Sequence, residues 1–158
     1  MSAKMILVMR HAEKSDDLLD PDLTPAGKAR AQRLAEYIPA TFGKPKWLFA
    51  TAASKHSRRP IQTLEPLARR CRLTIDETYA DQDYGALAQH LRKSDAFDGS
   101  LVVICWHHGN VPPMMHALKA QADDYPNPWK PDVFNLILQV KFAKDRKRPK
   151  VTKVREPF

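Results

Sequence analysis

Two short apolar runs, residues 6–9 (ILVM) and 101–105 (LVVIC), constrain the fold more than any other feature of this chain. Neither alternates apolar with polar residues, so neither suits a strand with one face in water. Both read as strands buried on two faces, which demands layers of helix above and below a sheet. The intervening sequence supplies those helices. Thr24 is a plausible N-cap with Pro25 at the first helical position, and Ala31, Leu34, Ala35 and Ile38 follow at i, i+3, i+4, i+7 spacing. Pro60 opens a second helix whose apolar face is Ile61, Leu64, Leu67, Ala68 and Cys71. Residues 47–50 read as a second strand, 73–75 as a third and 86–91 as a short helix, with a further helix over 111–122 opened by Pro112 and Pro113. Residues 133–142 and 151–154 read as an antiparallel hairpin about the turn at 145–149. The order predicts a three-layer α/β/α sandwich: a mainly parallel sheet with helices on both faces and a C-terminal antiparallel hairpin.

With 158 residues the chain suits one domain, 1–158, burying roughly 70% of the surface its unfolded form exposes. An apolar share of 43% and a charged share of 28% exclude the disordered and collagen-like classes. The longest apolar run falls well short of the roughly 18 residues of a membrane helix, and the N-terminal one is too short for a signal peptide. A cytoplasmic protein without membrane contact is expected. Cys71 and Cys105 sit inside apolar patterns and read as buried free thiols. His56, His90 and His116 have no partners at metal-ligand spacing and read as surface or helix residues. Met114 and Met115 read as helix packing, whereas Trp106, Trp129 and Tyr84 suit either a pocket wall or the core. Of the net charge of +8, most lies in the basic hairpin tail 141–158, where eight Lys and Arg face only Asp145 and Glu156. A solvated hairpin explains that charge better than a nucleic-acid site, because the tail lacks interleaved aromatics.

Open α/β sheets bind ligands at the carboxyl ends of their strands, and chemistry-bearing residues gather there. Arg10 and His11 follow the first strand, Arg58 and Arg59 precede the second helix, Asp81 and Asp83 lie in the loop after the third strand, and His107 and His108 follow the fourth. Guanidiniums grip phosphate oxygens and a neutral imidazole is a nucleophile, so two imidazoles, an arginine pair and one acid suit phosphoryl transfer. His11 must then present an unprotonated nitrogen, its other nitrogen donating to a backbone carbonyl. His108 serves best as a protonated donor, which phosphate charge favours, and His107 reads as structural or as a rim contact. Asp81, if buried near the pocket, would serve as the acid. The cations supply the charge a metal would bring, so neither metal nor cofactor is expected.

The pieces Arg10-His11-Ala12, Leu23-Thr24-Pro25-Ala26-Gly27, Arg59-Pro60-Ile61-Gln62-Thr63, Asp81-Gln82-Asp83-Tyr84-Gly85 and His108-Gly109-Asn110 resemble, in order and placement, the histidine phosphatase superfamily, also called phosphoglycerate mutase-like. The resemblance covers roughly residues 5–118. It implies that His11 becomes phosphohistidine, that Arg10, Arg59 and His108 hold the phosphoryl oxygens beside Gly109 and Asn110, and that Asp81 protonates the leaving group. Asp83 rivals Asp81, and Arg58 rivals Arg59. Length and the Arg-His-Ala sequence look most like short bacterial members, among them phosphohistidine phosphatases. A hydrolase acting on a phosphorylated small molecule or a phosphoprotein is expected. The alternatives are a phosphosugar mutase, which would carry insertions over the pocket, and a retired phosphatase fold that binds an acidic partner through its tail.

Overall fold

All six residues of β1 (Met5–Arg10) are buried, and their side chains divide by alternation between two cores. Ile6 and Val8 pack with Leu87, Leu91, Met114 and Met115 on one face of the sheet. Leu7 and Met9 pack with Leu34, Ile38, Leu64 and Leu67 on the other. Each fully buried aliphatic side chain contributes about 1.5–3 kcal/mol, so a strand that feeds both cores is the natural centre of the sheet. The structure is a computed structural model that describes residues 3–158.

After β1 come α1 (Pro25–Phe42), β2 (Trp47–Ala50), α2 (Arg59–Cys71), β3 (Ile75–Asp76), α3 (Tyr84–Lys93), β4 (Leu101–Trp106), α4 (Val111–Ala117), β5 (Leu136–Lys141) and β6 (Lys150–Arg155). The sheet runs β3-β2-β4-β1-β5-β6. Strands β3, β2, β4 and β1 are parallel, and the β5–β6 hairpin adds antiparallel to β1. The chain moves outward from β1 to β2 and β3, then returns to insert β4 between β2 and β1. With crossover handedness fixed, that reversal sends α3 and α4 to the face opposite α1 and α2. The three-layer α/β/α arrangement with its terminal hairpin is thus the one the sequence predicts. No helix among the described residues is long and apolar enough to cross a membrane.

Helix α3 and strand β6 extend past residues 86–91 and 151–154 at both ends, and three further boundaries differ from the sequence reading for a visible reason. The third strand is Ile75–Asp76, because Arg72 adopts the left-handed conformation that caps α2 and Leu73 N–H donates to the Ala68 carbonyl. Helix α4 stops at Ala117, after which Lys119 turns the chain at φ +69° between the buried Leu118 and Ala120. Strand β5 begins at Leu136, since the residues before it fold toward Arg10.

Two fixtures hold the loop that follows β1. Thr24 caps α1 by accepting from Gly27 N–H at 3.1 Å, and its own N–H donates to the Glu13 carbonyl at 3.0 Å. Helix α1 thereby presses on the loop so closely that a Cβ at Gly27 would stand 2.4 Å from the Glu13 oxygen. Gly27→Ala is expected to cost about 1–3 kcal/mol by overpacking against backbone, read by urea unfolding; wild-type stability would show that the loop yields freely. The second fixture is Arg30. It grips both carboxylate oxygens of Glu13 at 2.9 and 3.0 Å, and its Nη1 donates to Glu156 at 2.9 Å and to the Phe158 carbonyl at 2.7 Å. The C-terminal residues are therefore stitched to the body, and Glu156, counted above among tail charges, is buried. Outside it, Lys150, Lys153 and Arg155 line an exposed edge strand, where charge deters pairing with another chain.

Candidate active site

Because β1 and β4 are parallel neighbours with Arg10 level with Trp106, the residues leaving the two strands emerge side by side. His11 N–H donates to the Trp106 carbonyl at 3.1 Å. Strand β2 ends level with them, Ala50 opposite Cys105, and leads to Arg59 at the start of α2. The fourth contribution hangs from β4 itself. Trp106 Nε1 donates to the Asp81 carbonyl at 3.1 Å and Asn110 Nδ2 reaches the same oxygen at 3.4 Å, fixing the turn Asp81–Asp83 beside the strand end.

His11 is buried, and its Nδ1 lies 2.7 Å from the Ala12 carbonyl. A carbonyl only accepts, so Nδ1 carries the proton and Nε2 keeps its lone pair. Burial, then the charges of Arg10, His107 and Arg59, push the imidazole down to about 2 against the favourable bond to Ala12. Ala12 N–H donates to Thr63 Oγ1 at 2.9 Å, and that hydroxyl donates to the Arg59 carbonyl at 2.8 Å. The nucleophile candidate and the start of α2 are thus tied through one side chain. Gln62 does the same for the next loop, accepting from Leu23 N–H and donating to Asp22.

Arg10 is buried, lies 4.0 Å over the Phe134 ring, and donates through Nη1 to the Pro131 carbonyl at 2.6 Å. Burial lowers it to about 10, so it stays cationic at neutral pH. Arg59 is also buried and likewise lowered by desolvation, with Nη1 on the Asp20 carbonyl at 2.8 Å. Arg58 instead makes an exposed ion pair with Asp22 at 2.7 Å. The two acids separate in the same way: Asp81 is half-buried and its charge acts on His107 and His108, whereas Asp83 is exposed. Three buried polar atoms without a protein partner, Arg10 Nε, Arg59 Nε and Asp81 Oδ1, belong to residues of this cluster. Unsatisfied buried donors and acceptors are costly, and a bound ligand would satisfy these three; Trp47 Nε1, Thr51 Oγ1 and Asp98 Oδ1 share that state on other residues.

The other candidates divide. His108 is half-buried, and desolvation, then the charge of Arg10, holds it below the ordinary imidazole value. Gly109 is exposed in the turn His108–Asn110, and the Asn110 side chain is spent on the Asp81 carbonyl. Trp106 resolves as core and as the anchor of Asp81; Trp129 is core, Tyr84 packs partly buried against it, and Met114 and Met115 are helix packing. Cys71 and Cys105 are free and buried. His107, read from the sequence as structural or as a rim contact, packs edge-on against His11 with ring centroids 5.4 Å apart. One residue escaped the sequence reading. Phe134 backs both Arg10 and His11, and nothing in the sequence announces it, because only the pairing of β5 with β1 brings it there.

The depressed His11 leaves a thermodynamic trace. The folded chain keeps it neutral down to about pH 2, while the unfolded chain protonates it below its ordinary 6.5. Unfolding therefore takes up a proton below 6.5, and His11 costs stability as pH falls. Relative to His11→Gln, the wild type should lose about 2 kcal/mol between pH 8 and about 5 in denaturant titrations. A gap independent of pH would mean that His11 is protonated in the native state.

No family model matches the sequence, and no curated protein does. The solved structures do. The fold is the one shared by histidine phosphatases and phosphoglycerate mutases, matched over nearly the whole chain at identities that establish architecture alone. The protein histidine phosphatase SixA, solved with tungstate, is 15% identical, covers 96% of this chain and 96% of its own, and gives a TM-score of 0.67. A mycobacterial glucosyl-3-phosphoglycerate phosphatase is 14% identical over 98% of both chains with a TM-score of 0.65. The phosphoglycerate mutase of Plasmodium falciparum is 10% identical, covering 98% of this chain and 91% of its own, with a TM-score of 0.64.

Proposed function

We propose that this chain is a histidine phosphatase that hydrolyses a phosphomonoester or a phosphoramidate through a phosphohistidine on His11. The observation that carries this reading is the state of His11: a buried imidazole with Nδ1 on the Ala12 carbonyl, held neutral by burial and by the charges of Arg10 and Arg59. Buried cations without a counter-ion are costly until an anion arrives, and the neutral imidazole beside them is the form that attacks phosphorus.

Nε2 forms a bond to phosphorus while the bond to the leaving oxygen or nitrogen breaks, and the Asp81 carboxyl gives its proton to the leaving atom. Water then attacks phosphorus, its proton passes to Asp81, and the P–Nε2 bond breaks to release phosphate. Arg10, Arg59 and His108 hold the equatorial oxygens, with Gly109 and Asn110 at the rim, and so supply the charge the transition state requires. The open cavity beside Arg59 would admit water to the phosphohistidine, which favours hydrolysis over mutase chemistry. The fold relatives named as phosphatases agree with this.

The test is hydrolysis of an aryl phosphate in the presence of a chelator, followed by mass analysis of acid-labile phosphate on the protein. Turnover with phosphate on His11 is expected. Absence of both turnover and phosphoprotein across aryl, alkyl and protein-bound substrates would overturn the proposal.

A further inference from the structure

Leu18 and Leu19 are the large hydrophobic side chains left in water among the described residues, 81% and 90% exposed. Isolated exposed leucines are ordinary, but an adjacent pair on a polar loop calls for a reason when the other large apolar groups among the described residues are buried at least in part. Their place supplies one. The loop leaves the sheet directly after His11, and the pair borders an open cavity of about 510 Å³ whose lining also includes Lys14, Asp20, His56 and Arg59. That volume lies within the range of small-molecule sites. Arg59 belongs equally to the candidate active site, so the cavity adjoins the place where a phosphoryl group would sit.

The loop is held in shape. Asp17 Oδ1 accepts from Leu19 N–H at 2.9 Å, Asp20 N–H donates to the Asp17 carbonyl at 3.1 Å, and Ser15 Oγ reaches Asp20 Oδ2 at 3.4 Å. The Asp20 carbonyl in turn takes the Arg59 guanidinium at 2.8 Å. One fixture therefore presents the two leucines and orients the arginine. Ordering is paid before a ligand arrives, which is what makes a small apolar contact count toward affinity.

We infer that Leu18 and Leu19 form an apolar lip that receives the leaving-group body of the substrate, so that the enzyme favours compact hydrophobic phosphoesters, aryl or alkyl, over phosphates of polyols and sugars. The inference rests on the phosphatase reading for its substrate class. Its geometry is an apolar edge beside a guanidinium, which matches a molecule with an anionic head and an apolar body. A sugar phosphate would leave both leucines wet, and its hydroxyls would meet only the polar side of the cavity at Lys14, Asp17 and His56.

The contact adds binding without touching the reacting atoms, so it should appear in KM more than in kcat. Wild type and Leu18→Ser/Leu19→Ser are compared on 1-naphthyl phosphate, phenyl phosphate and glycerol 2-phosphate. The expected result is a kcat/KM order of naphthyl over phenyl over glycerol in the wild type, with the naphthyl-to-glycerol ratio falling about 10-fold in the variant. Calorimetric binding of benzylphosphonate and methylphosphonate, which are not hydrolysed, reads the same contact without turnover. A benzyl preference that the variant loses supports the lip even if no ester is turned over, an outcome that would sink the phosphatase reading alone. Equal binding of the two phosphonates, or a benzyl preference untouched in the variant, overturns the inference. So does a variant that keeps the benzyl preference yet loses activity on a phosphohistidine-bearing protein, which would make the leucines a protein docking surface.

Discussion

His11→Ala should reduce hydrolysis of an aryl phosphate by about 10⁴-fold or more and abolish acid-labile phosphate on the protein, while the chain stays folded. The size of the effect follows from the role. Without the imidazole no covalent intermediate forms, and water must attack directly from the bulk, losing the advantage of a nucleophile already placed beside the phosphoryl site. The fold tolerates the change because His11 makes its side-chain bond only to its neighbour Ala12. Its buried, depressed imidazole also gives nothing to stability in acid. A variant that retained a tenth or more of the wild-type rate would remove His11 from the mechanism.

Arg30→Met should be the most damaging substitution outside the site, costing about 3–5 kcal/mol near pH 8 in urea unfolding. The change strips Glu156 of its partner while the carboxyl stays buried, with 2% of its side chain exposed. Burial pushes Glu156 up to about 7 even with Arg30 opposing it. Removing Arg30 pushes it higher still, so near pH 8 the orphaned group is either charged in an apolar setting or held protonated at a cost, whereas at lower pH it is protonated with Arg30 or without it. The penalty should therefore shrink as pH falls toward about 5.5. Arg30→Met/Glu156→Gln should recover most of the loss, since removing both charges leaves no buried ion behind. A penalty of equal size at both pH values would assign the effect to packing. Activity should fall with the single substitution as well, because Glu13, two residues after His11, loses its bidentate hold.

What the sequence determined by itself is local and periodic. Unalternating runs at residues 6–9 and 101–105 can only be strands covered on both faces, and both are central. Thr24-Pro25 and the spacing through Ile38 fix α1 because a cap and an apolar stripe are properties of consecutive residues. The five short motifs placed Arg10, His11, Arg59, Asp81 and His108 at strand or helix ends, and the structure gathers these residues at one edge of the sheet.

Tertiary structure decided what depends on residues far apart in the chain. Arg59 and Arg58 are adjacent and chemically identical, and only the packing of the loop at Asp20 and Asp22 buries one and leaves the other in an exposed ion pair. Asp81 and Asp83 are separated likewise, by the Trp106 indole that draws the Asp81 backbone to β4. Phe134 reaches Arg10 from 124 positions away through strand pairing, and His107 comes against His11 because β4 lies beside β1. Sequence spacing encodes which residues share a helix face or a strand end; which of two neighbours turns inward is set by what the fold packs against them.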